Sequence, residues 1–574
     1  MTHDLFPPVG LHFWQGVNQN MIAKALRELT YEEVIDAKPL NEEKTAWQAN
    51  VGEQAVYTFS GKQSYWGDLT IEPSSICRNG KKVDDALAFF GDMEAILDGD
   101  PLTWSTFLTE LHNTLLADLL HAQKLQRQAF RTLDAAVAGH PKLLANKGRL
   151  GWGYADIALY GTENENPIQF FWVAIKKDAL ACFGNTGESE TLLAHCMNEA
   201  EQNRLKTLCP NPDDFLVIPV HPWQWQHWII PHFLAQIQKK DMVALGKGGD
   251  FYRPQMSLRT FSNLSDPKKP DIKLSLSVLN TSSYRGIPKG ALKGAQLLSG
   301  FLANIILKDP WLSEAGTRVQ RQLAAVFCQH PFYETKKMPY HFKELLGAVW
   351  RQSAAAVVGA GQTPVPLAAL LHENANGTLL LQAYLKDSGL DVGDWLQCLF
   401  DSTAAPLYHL LCTYGLSHIA HGQNITLILE QGKPSGMLLK DFHGDMRLVR
   451  HTAIPMPLPA DFDHALTIIP PEWALADWQT SLLGGVFRYL APLLAAHHLI
   501  DEPSFYRLLR QSLLRYQKRH PNLRESFTLF DIWQPSMEKV CVNRVRFRKN
   551  IAASPSRPLP ELGKPISNPL WSAS

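Results

Sequence analysis

Two short segments carry cations and hydroxyls at spacings that suit an anionic ligand. Met256-Ser257-Leu258-Arg259-Thr260 is separated from Lys273-Leu274-Ser275-Leu276-Ser277 by the turn-rich Ser265-Asp266-Pro267-Lys268-Lys269-Pro270, so the pair reads as two strands of a hairpin. Period-two alternation then puts Ser257 and Arg259 on one face, and Lys273, Ser275 and Ser277 together on a face of the partner strand. The following run, Asn280-Thr281-Ser282-Ser283-Tyr284-Arg285-Gly286, adds small hydrogen-bonding side chains and an arginine, a composition suited to phosphate or carboxylate. A polar loop with solvated charges explains the same residues about equally well. A second constellation joins His421-Gly422-Gln423-Asn424 to Lys440-Asp441-Phe442-His443-Gly444 across a strand-loop-strand segment. A histidine-led loop ending in Asn, then a hairpin, then Asp-Phe is the layout with which kinase-like enzymes hold magnesium. Asn424 and Asp441 offer the hard oxygens Mg²⁺ prefers. Taken singly, His421 is a satisfied loop histidine and Asp441 a cap or ion-pair partner.

Weaker signals lie elsewhere. His221-Pro222-Trp223-Gln224 follows a buried strand and is explained as well by packing as by a cleft. His140, Lys147 and Arg149 share one turn-rich segment that could face an anion or solvent. Gly246-Lys247-Gly248-Gly249 lacks the phosphate-loop pattern and reads as a turn, while Arg544, Arg546 and Arg548 alternate as one solvent-facing strand side. The chain has neither a Gly-x-Ser-x-Gly elbow nor a His-Glu-x-x-His helix, which lowers the hydrolase and zinc-protease readings.

The elements that must position these residues fall into three stretches. Residues 20–35 and 105–138 show helical apolar spacing around short β-like runs such as Ala55–Phe59. From about 168 the pattern changes to apolar strands, Phe170–Ile175, Phe215–Val220 and Lys273–Leu279. Beyond Asp387 come helices over Trp395–Ser417, a strand pair over Thr426–Leu439, further helices to about 518 and an extended Pro-rich tail over 553–570. At 574 residues the chain exceeds one core. Its 55 basic and 55 acidic side chains cancel, which argues against a nucleic-acid partner. Eight cysteines without a Cys-x-x-Cys pair suggest no disulfide framework, and a cytoplasmic location is expected. No secretory signal is visible, and Ser481–Ile500, broken by Arg488 and Pro492, reads as a buried helix rather than a membrane span.

In order along the chain, Gly139-His140-Pro141 with Lys147-Gly148-Arg149, His221-Pro222-Trp223-Gln224, Ser257-Leu258-Arg259-Thr260, Lys273-Leu274, Asn280-Thr281-Ser282 with Arg285, His421-Gly422-Gln423-Asn424, Lys440-Asp441-Phe442 and Asn568-Pro569-Leu570 resemble the NRPS-independent siderophore synthetases, the IucA/IucC family. The resemblance implies an α+β, multi-lobed, hand-like fold: a mainly helical thumb over 1–150, sheet-bearing fingers with the ATP-phosphate face over 151–385, and a kinase-like helical and β palm over 386–574. It implies ATP and Mg²⁺, with Ser257, Arg259, Lys273, Thr281, Arg285, His421 and Asn424 at the nucleotide and Asn424 and Asp441 at the metal. Arg285, Lys273 and His421 would then be catalytic. His140, with Lys147, Arg149 and His221, would face the acyl substrate. Ile419 stands where members that activate free citrate often carry Glu, so the string Ile419–Asn424 is similar to the aerobactin-synthase and desferrioxamine-type branch. That branch implies a derivatised carboxylate, either a citrate monoamide or the succinyl arm of an N-hydroxy-N-succinyl diamine, joined to an amine through an acyl adenylate. The implied partners are those small molecules and a possible homodimer, with no membrane. A kinase-like phosphotransferase and a non-enzymatic citrate or hydroxamate binder are the rival readings.

Overall fold

The computed structural model describes residues 10–97, 99–127, 130–184, 199–209, 211–289, 295–335, 337–442, 444–548, 551–557 and 559–573. His443, used in the sequence reading, lies outside them. The fold mixes helix and sheet around three apolar cores.

The first core is built by two long helices against a small antiparallel sheet. Pro101–Gln126 starts where Asp100 accepts hydrogen bonds from the amides of Leu102 (2.9 Å) and Thr103 (3.0 Å), with Pro101 at the first helical position, which satisfies two otherwise orphaned amides. It packs on Leu11–Tyr31, and their apolar faces bury Ile22, Leu26, Phe107 and Leu111 against Tyr57 and Phe89. Phe547, from the far end of the chain, completes this core.

The middle lobe is an eight-stranded antiparallel sheet in the order 182–184, 322–328, 346–351, 271–274, 260–263, 242–254, 168–176, 215–220. A hairpin spans the expected turn, with Thr260 opposite Lys273, but its strands are Thr260–Asn263 and Asp271–Leu274 rather than Met256–Thr260 and a strand continuing from Lys273, which breaks at Ser275 into a separate strand, Leu276–Asn280. Its turn is held by Asn263, whose side-chain oxygen accepts from the amides of Ser265 and Asp266. Three expectations change here. Ser257 and Arg259 sit on a tight turn before the strand, because Leu258 is left-handed (φ 65°) and buried. Gly246–Gly249 lies within the strand Met242–Pro254, at register shifts against Ile168–Lys176. Cys182 and Cys328, 146 residues apart, are disulfide-bonded across adjacent antiparallel strands, a pairing that spacing in sequence cannot reveal.

The C-terminal core surrounds a four-stranded sheet in the order Thr317–Val319, Lys433–Leu439, Ile425–Glu430, Gln362–Pro366. It draws in Leu298, Leu302 and Val365, well before residue 386. Within Ser481–Ile500 the chain is helical and largely buried to Ala496, π-helical through Phe487 and then α-helical, and its Arg488 is fully buried between Glu28 (2.9 Å) and Asp68 (2.8 Å) of the first lobe. Among the described residues no helix is long and apolar enough to cross a membrane. The tail returns across the first two lobes. Arg544–Arg548 is a short helix rather than a strand, and its Arg546 is buried against Glu110 instead of meeting solvent.

Candidate active site

A cavity of about 600 Å³ is lined by residues from 134–163, 256–351, 368–486 and the tail 542–560, within the range of small-molecule sites. Ser257, Arg259, Lys273, Thr281, Arg285, His421, Asn424 and Asp441 all line it, as do His140, Lys147 and Arg149. His221 does not. Its ring is buried among Tyr160, Trp152 and Phe261, and its Nδ1 accepts from the Trp223 amide (3.1 Å), so packing explains it. Ser275 and Ser277 are also buried structural groups, accepting from the Ile287 amide (3.2 Å) and from Gln224 (2.9 Å).

Short connections between strands aim the functional side chains. Thr281 is left-handed (φ 59°) in the tight turn joining Leu276–Asn280 to Ser283–Arg285. Arg285 returns from that turn to donate to the Asn280 carbonyl (2.7 Å) and to the Thr281 hydroxyl. Arg259 donates to the carbonyl of Gly286. Gly286 is required by crowding, since a Cβ there would come within 2.4 Å of the Glu344 side chain. In the His421–Asn424 loop, Gly422 packs on Ala368, where a Cβ would sit 2.9 Å from that residue. Asn424 closes the loop by donating to the Ile419 carbonyl (3.0 Å) and to Asp445 (3.0 Å). Asp441, left-handed at φ 59°, follows directly on the strand Lys433–Leu439 and Lys440.

Charge is unevenly compensated around this cavity. Lys147 is paired with Asp118 (2.6 Å), and Arg149 holds Glu163 with two hydrogen bonds (2.7 and 2.8 Å). Arg259 and Arg285 have no carboxylate within ion-pair distance among the described residues. Burial, then the Arg285 and Arg557 charges, bring Arg259 down to about 9, while burial and then nearby Arg557 bring Arg285 to about 10. Both stay charged at neutral pH, and a bound anion would relieve the cost. Lys273 meets Asp441 at 2.8 Å, and Arg351 reaches the same carboxylate at 3.3 Å. Burial opposes the Asp441 charge, but Lys273, Arg351 and Lys440 outweigh it and hold this carboxyl far below the usual range.

His421 and His140 face each other with ring centroids 6.4 Å apart. Each Nδ1 accepts a backbone amide, from Gln423 and from Lys142, both at 3.2 Å, so the neutral rings carry their proton on Nε2. Burial, with opposing help from Asp441, lowers His421 to about 4, and burial with neighbouring cations lowers His140 well below its ordinary value. Two neutral N–H donors therefore look into a cationic cavity.

Asp445, overlooked in sequence although it follows Asp441 by four residues, lines the cavity beside Asn424. Burial raises its pKa against the Asn424 hydrogen bond, and the Asp441 charge raises it further. No Lys or Arg pairs with it among the described residues. A carboxylate short of a cation, beside an amide whose N–H₂ is already engaged, is a donor set that fits a hard cation through Asp445, Asp441 and the Asn424 oxygen. Among the described residues there is no cluster of three or more His, Cys, Asp or Glu side chains able to hold a metal by itself, so ligand oxygens would have to complete the shell. The tail was also missed: Val542, Arg546, Ile551 and Arg557 all line the cavity.

Comparison with known proteins gives a consistent result. Residues 129–372 match the IucA / IucC family model, and residues 393–554 match one described as ferric iron reductase FhuF-like transporter. The rhizobactin siderophore biosynthesis protein RhbF of Rhizobium meliloti (strain 1021) is 35% identical over 597 residues, covering 99% of this chain and 98% of that protein. The structure of aerobactin synthetase IucC from a hypervirulent pathotype of Klebsiella pneumoniae superposes with a TM-score of 0.84 at 31% identity, covering 98% of this chain and 99% of that one. ATP-bound aerobactin synthetase IucA from the same pathotype gives a TM-score of 0.75 over 96% of this chain and 99% of that one, at 18% identity, a likeness of fold alone. These likenesses define the class as the enzymes that build siderophores. The chain belongs to the IucA/IucC family of NRPS-independent siderophore synthetases.

Proposed function

We propose that the enzyme is an ATP-dependent, AMP-forming ligase that joins a hydroxamate-bearing carboxylate to an amine. The observation that carries this reading is the pair of half-buried guanidiniums, Arg259 and Arg285, which have no carboxylate within ion-pair distance among the described residues and line one cavity with Asn424, Asp441 and Asp445. That aerobactin synthetase IucA binds ATP in a structure of the same fold supports a nucleotide as the polyanion.

In this reading a carboxylate oxygen attacks the α-phosphorus of ATP, the bond to the β-phosphate bridging oxygen breaks, and pyrophosphate leaves. The amine nitrogen then attacks the acyl carbon, the acyl–phosphate bond breaks, AMP leaves, and the amine proton passes to solvent. The barrier to the first step is repulsion between two anions. Arg259, Lys273 and Arg285 lower it with fixed charge in a site of low dielectric. His421, held neutral with its proton on Nε2, donates to the charge growing on the α-phosphoryl oxygens without adding a cation that must be desolvated. His140, on the opposite wall, does the same for the acyl group. Mg²⁺, when bound, neutralises phosphate charge at the Asn424, Asp441 and Asp445 oxygens. Ile419, at the position where the family resemblance puts Glu in members that activate free citrate, is tied through its backbone to the Asp445 carbonyl (2.7 Å) and to the Asn424 side chain (3.0 Å), and its lack of a carboxylate supports a substrate other than free citrate.

The test measures AMP, ADP and pyrophosphate with ATP, free citrate, an N-hydroxy-N-succinyl diamine and a citrate monoamide with its amine. AMP and pyrophosphate are expected with a derivatised carboxylate. ADP as product would refute adenylation, and equal turnover of free citrate would refute the substrate branch.

A further inference from the structure

The C-terminal tail crosses back to the cavity at Arg557, and its contacts are those of a site component. Arg557 donates to Glu344 (2.5 Å) and to the carbonyl of Gly286 (3.4 Å), the same carbonyl that Arg259 holds. Its guanidinium lies 5.2 Å from the Tyr340 ring centre. Tyr340 in turn accepts the Tyr284 amide on its hydroxyl (2.8 Å), next to Arg285. Arg259 and Arg557 thus share one carbonyl, Arg557 alone reaches the Glu344 carboxylate, and the Arg285 charge is near enough to interact with both guanidiniums. Glu344 is buried, and that burial raises its pKa despite Arg557 and Arg259. Among the described residues Glu344 is the carboxylate that pairs directly with one of these three cations, while Asp441 and Asp445 act on Arg259 and Arg285 only from beyond ion-pair distance, so positive charge is incompletely compensated at this end of the cavity.

We infer that Arg557 is a binding residue for the anion handled by Arg259 and Arg285, and that Glu344 is its resting counter-ion, exchanged when an oxyanion arrives. Arg557 is the member suited to exchange. Its side chain is 36% exposed while that of Glu344 is 7% exposed, and an arginine fork can hold a carboxylate on one edge while turning the other to a second anion. The oxyanion belongs either to the β,γ-phosphates, hence to pyrophosphate, or to the acyl carboxylate. This assignment rests on the ATP-dependent reading above.

The experiment uses the full chain with three substitutions, Arg557→Gln, Arg557→Lys and Glu344→Gln. Pyrophosphate affinity is measured by calorimetry, KM is measured for ATP and for an N-hydroxy-N-succinyl diamine, and thermal melting is followed. Arg557→Gln should weaken pyrophosphate binding or raise KM for the carboxylate by tenfold or more. The parameter that moves identifies the source of the oxyanion. Arg557→Lys should recover part of the loss. Glu344→Gln should tighten the same ligand at least twofold, because the guanidinium is no longer shared. A structural brace predicts the reverse, with Glu344→Gln and Arg557→Gln losing affinity and melting together, and that result overturns the inference. So does unchanged affinity in a folded Arg557→Gln variant. If wild-type enzyme binds neither pyrophosphate nor ATP, the failure lies with the ligase reading rather than with Arg557.

Discussion

Replacing Asp441 with Asn separates a metal-holding carboxylate from a purely structural one, because the structure fixes what each role would cost. The carboxylate sits 2.8 Å from Lys273 and 3.3 Å from Arg351, and its side chain is only 19% exposed. At an effective dielectric of ~20, a unit pair at this spacing is worth about 5–6 kcal/mol before desolvation. Arg351 keeps Asp271 (3.3 Å) and the amide can still accept a hydrogen bond, so the net loss of stability is about 3 kcal/mol. With roughly 2.1 cal/mol/K of unfolding entropy per residue, that lowers the melting temperature by about 2–3 °C if the chain melts as one unit. The stability loss is expected whether or not a cation binds. The Mg²⁺ dependence is the deciding quantity. If Asp441 holds the cation, AMP formation in Asp441→Asn should fall steeply and recover in part at raised Mg²⁺, and the rise in melting given by Mg-ATP should need more Mg²⁺ than in wild type. Lower melting with an unchanged Mg²⁺ midpoint in both assays would refute the metal role and leave Asp441 as the counter-ion of Lys273 and Arg351.

Three further outcomes are expected. His421 has a folded pKa of about 4 against ~6.5 when unfolded, so as pH falls below ~6.5 the unfolded chain takes up the proton first and the stability this group contributes is lost progressively down to about 4. Turnover should accordingly show no His421 limb near 6.5, and a limb there in the wild type that vanishes in His421→Asn would show the ring working as a cation. Arg488→Leu leaves buried Glu28 with only Arg27, at 3.8 Å, as a cation, and urea unfolding should show a loss of about 3 kcal/mol; a loss below about 1 kcal/mol would mean that the ionic link between the first and C-terminal lobes is not stabilising. Cys328→Ser opens a loop of 146 residues, so oxidised wild type should exceed the variant by up to ~5 kcal/mol in the chain-entropy account, a gap that a reductant should remove.

What could be read from the sequence was local. The Asp266-Pro267 turn flanked by alternating residues specified the Thr260–Leu274 hairpin, and His421–Asn424 with Lys440–Phe442 specified two loops that meet on one cavity wall. The misreadings share a cause, which is that a period-two pattern does not report a single residue in the left-handed region or a partner far along the chain. Ser257-Leu258-Arg259 alternates like a strand, yet Leu258 turns the backbone and is itself buried. Arg544, Arg546 and Arg548 alternate likewise, but Glu110, on a helix more than four hundred residues earlier, takes Arg546 into the interior. Asp445 carried a readable signal, a second acid one helical turn's spacing after Asp441, that the Asn-hairpin-Asp pattern does not include. Nothing in the Pro-rich tail marks Arg557, because Glu344 and Gly286 become its neighbours only through the fold.

The strained backbone falls where these missed contacts converge. Arg149, Leu258, Thr281 and Asp441 line the cavity and are four of the eleven described non-glycine residues with positive φ. Each carries a cost of about 1–3 kcal/mol that neighbouring contacts must offset. For Thr281 and Asp441 the offset is visible, in the Arg285 hydrogen bond and in the Lys273 and Arg351 ion pairs. The same contacts that hold the unfavourable backbone also aim the cations. Lys273 and Arg285 sit on regular strands, and a pattern optimised for strand would place Arg259 and Asp441 on them too, with the charges spread along a sheet face. Turning the chain at Leu258, Thr281 and Asp441 instead gathers them around one cavity, so the strain is tied to the positioning of charge rather than to the stability of any one lobe.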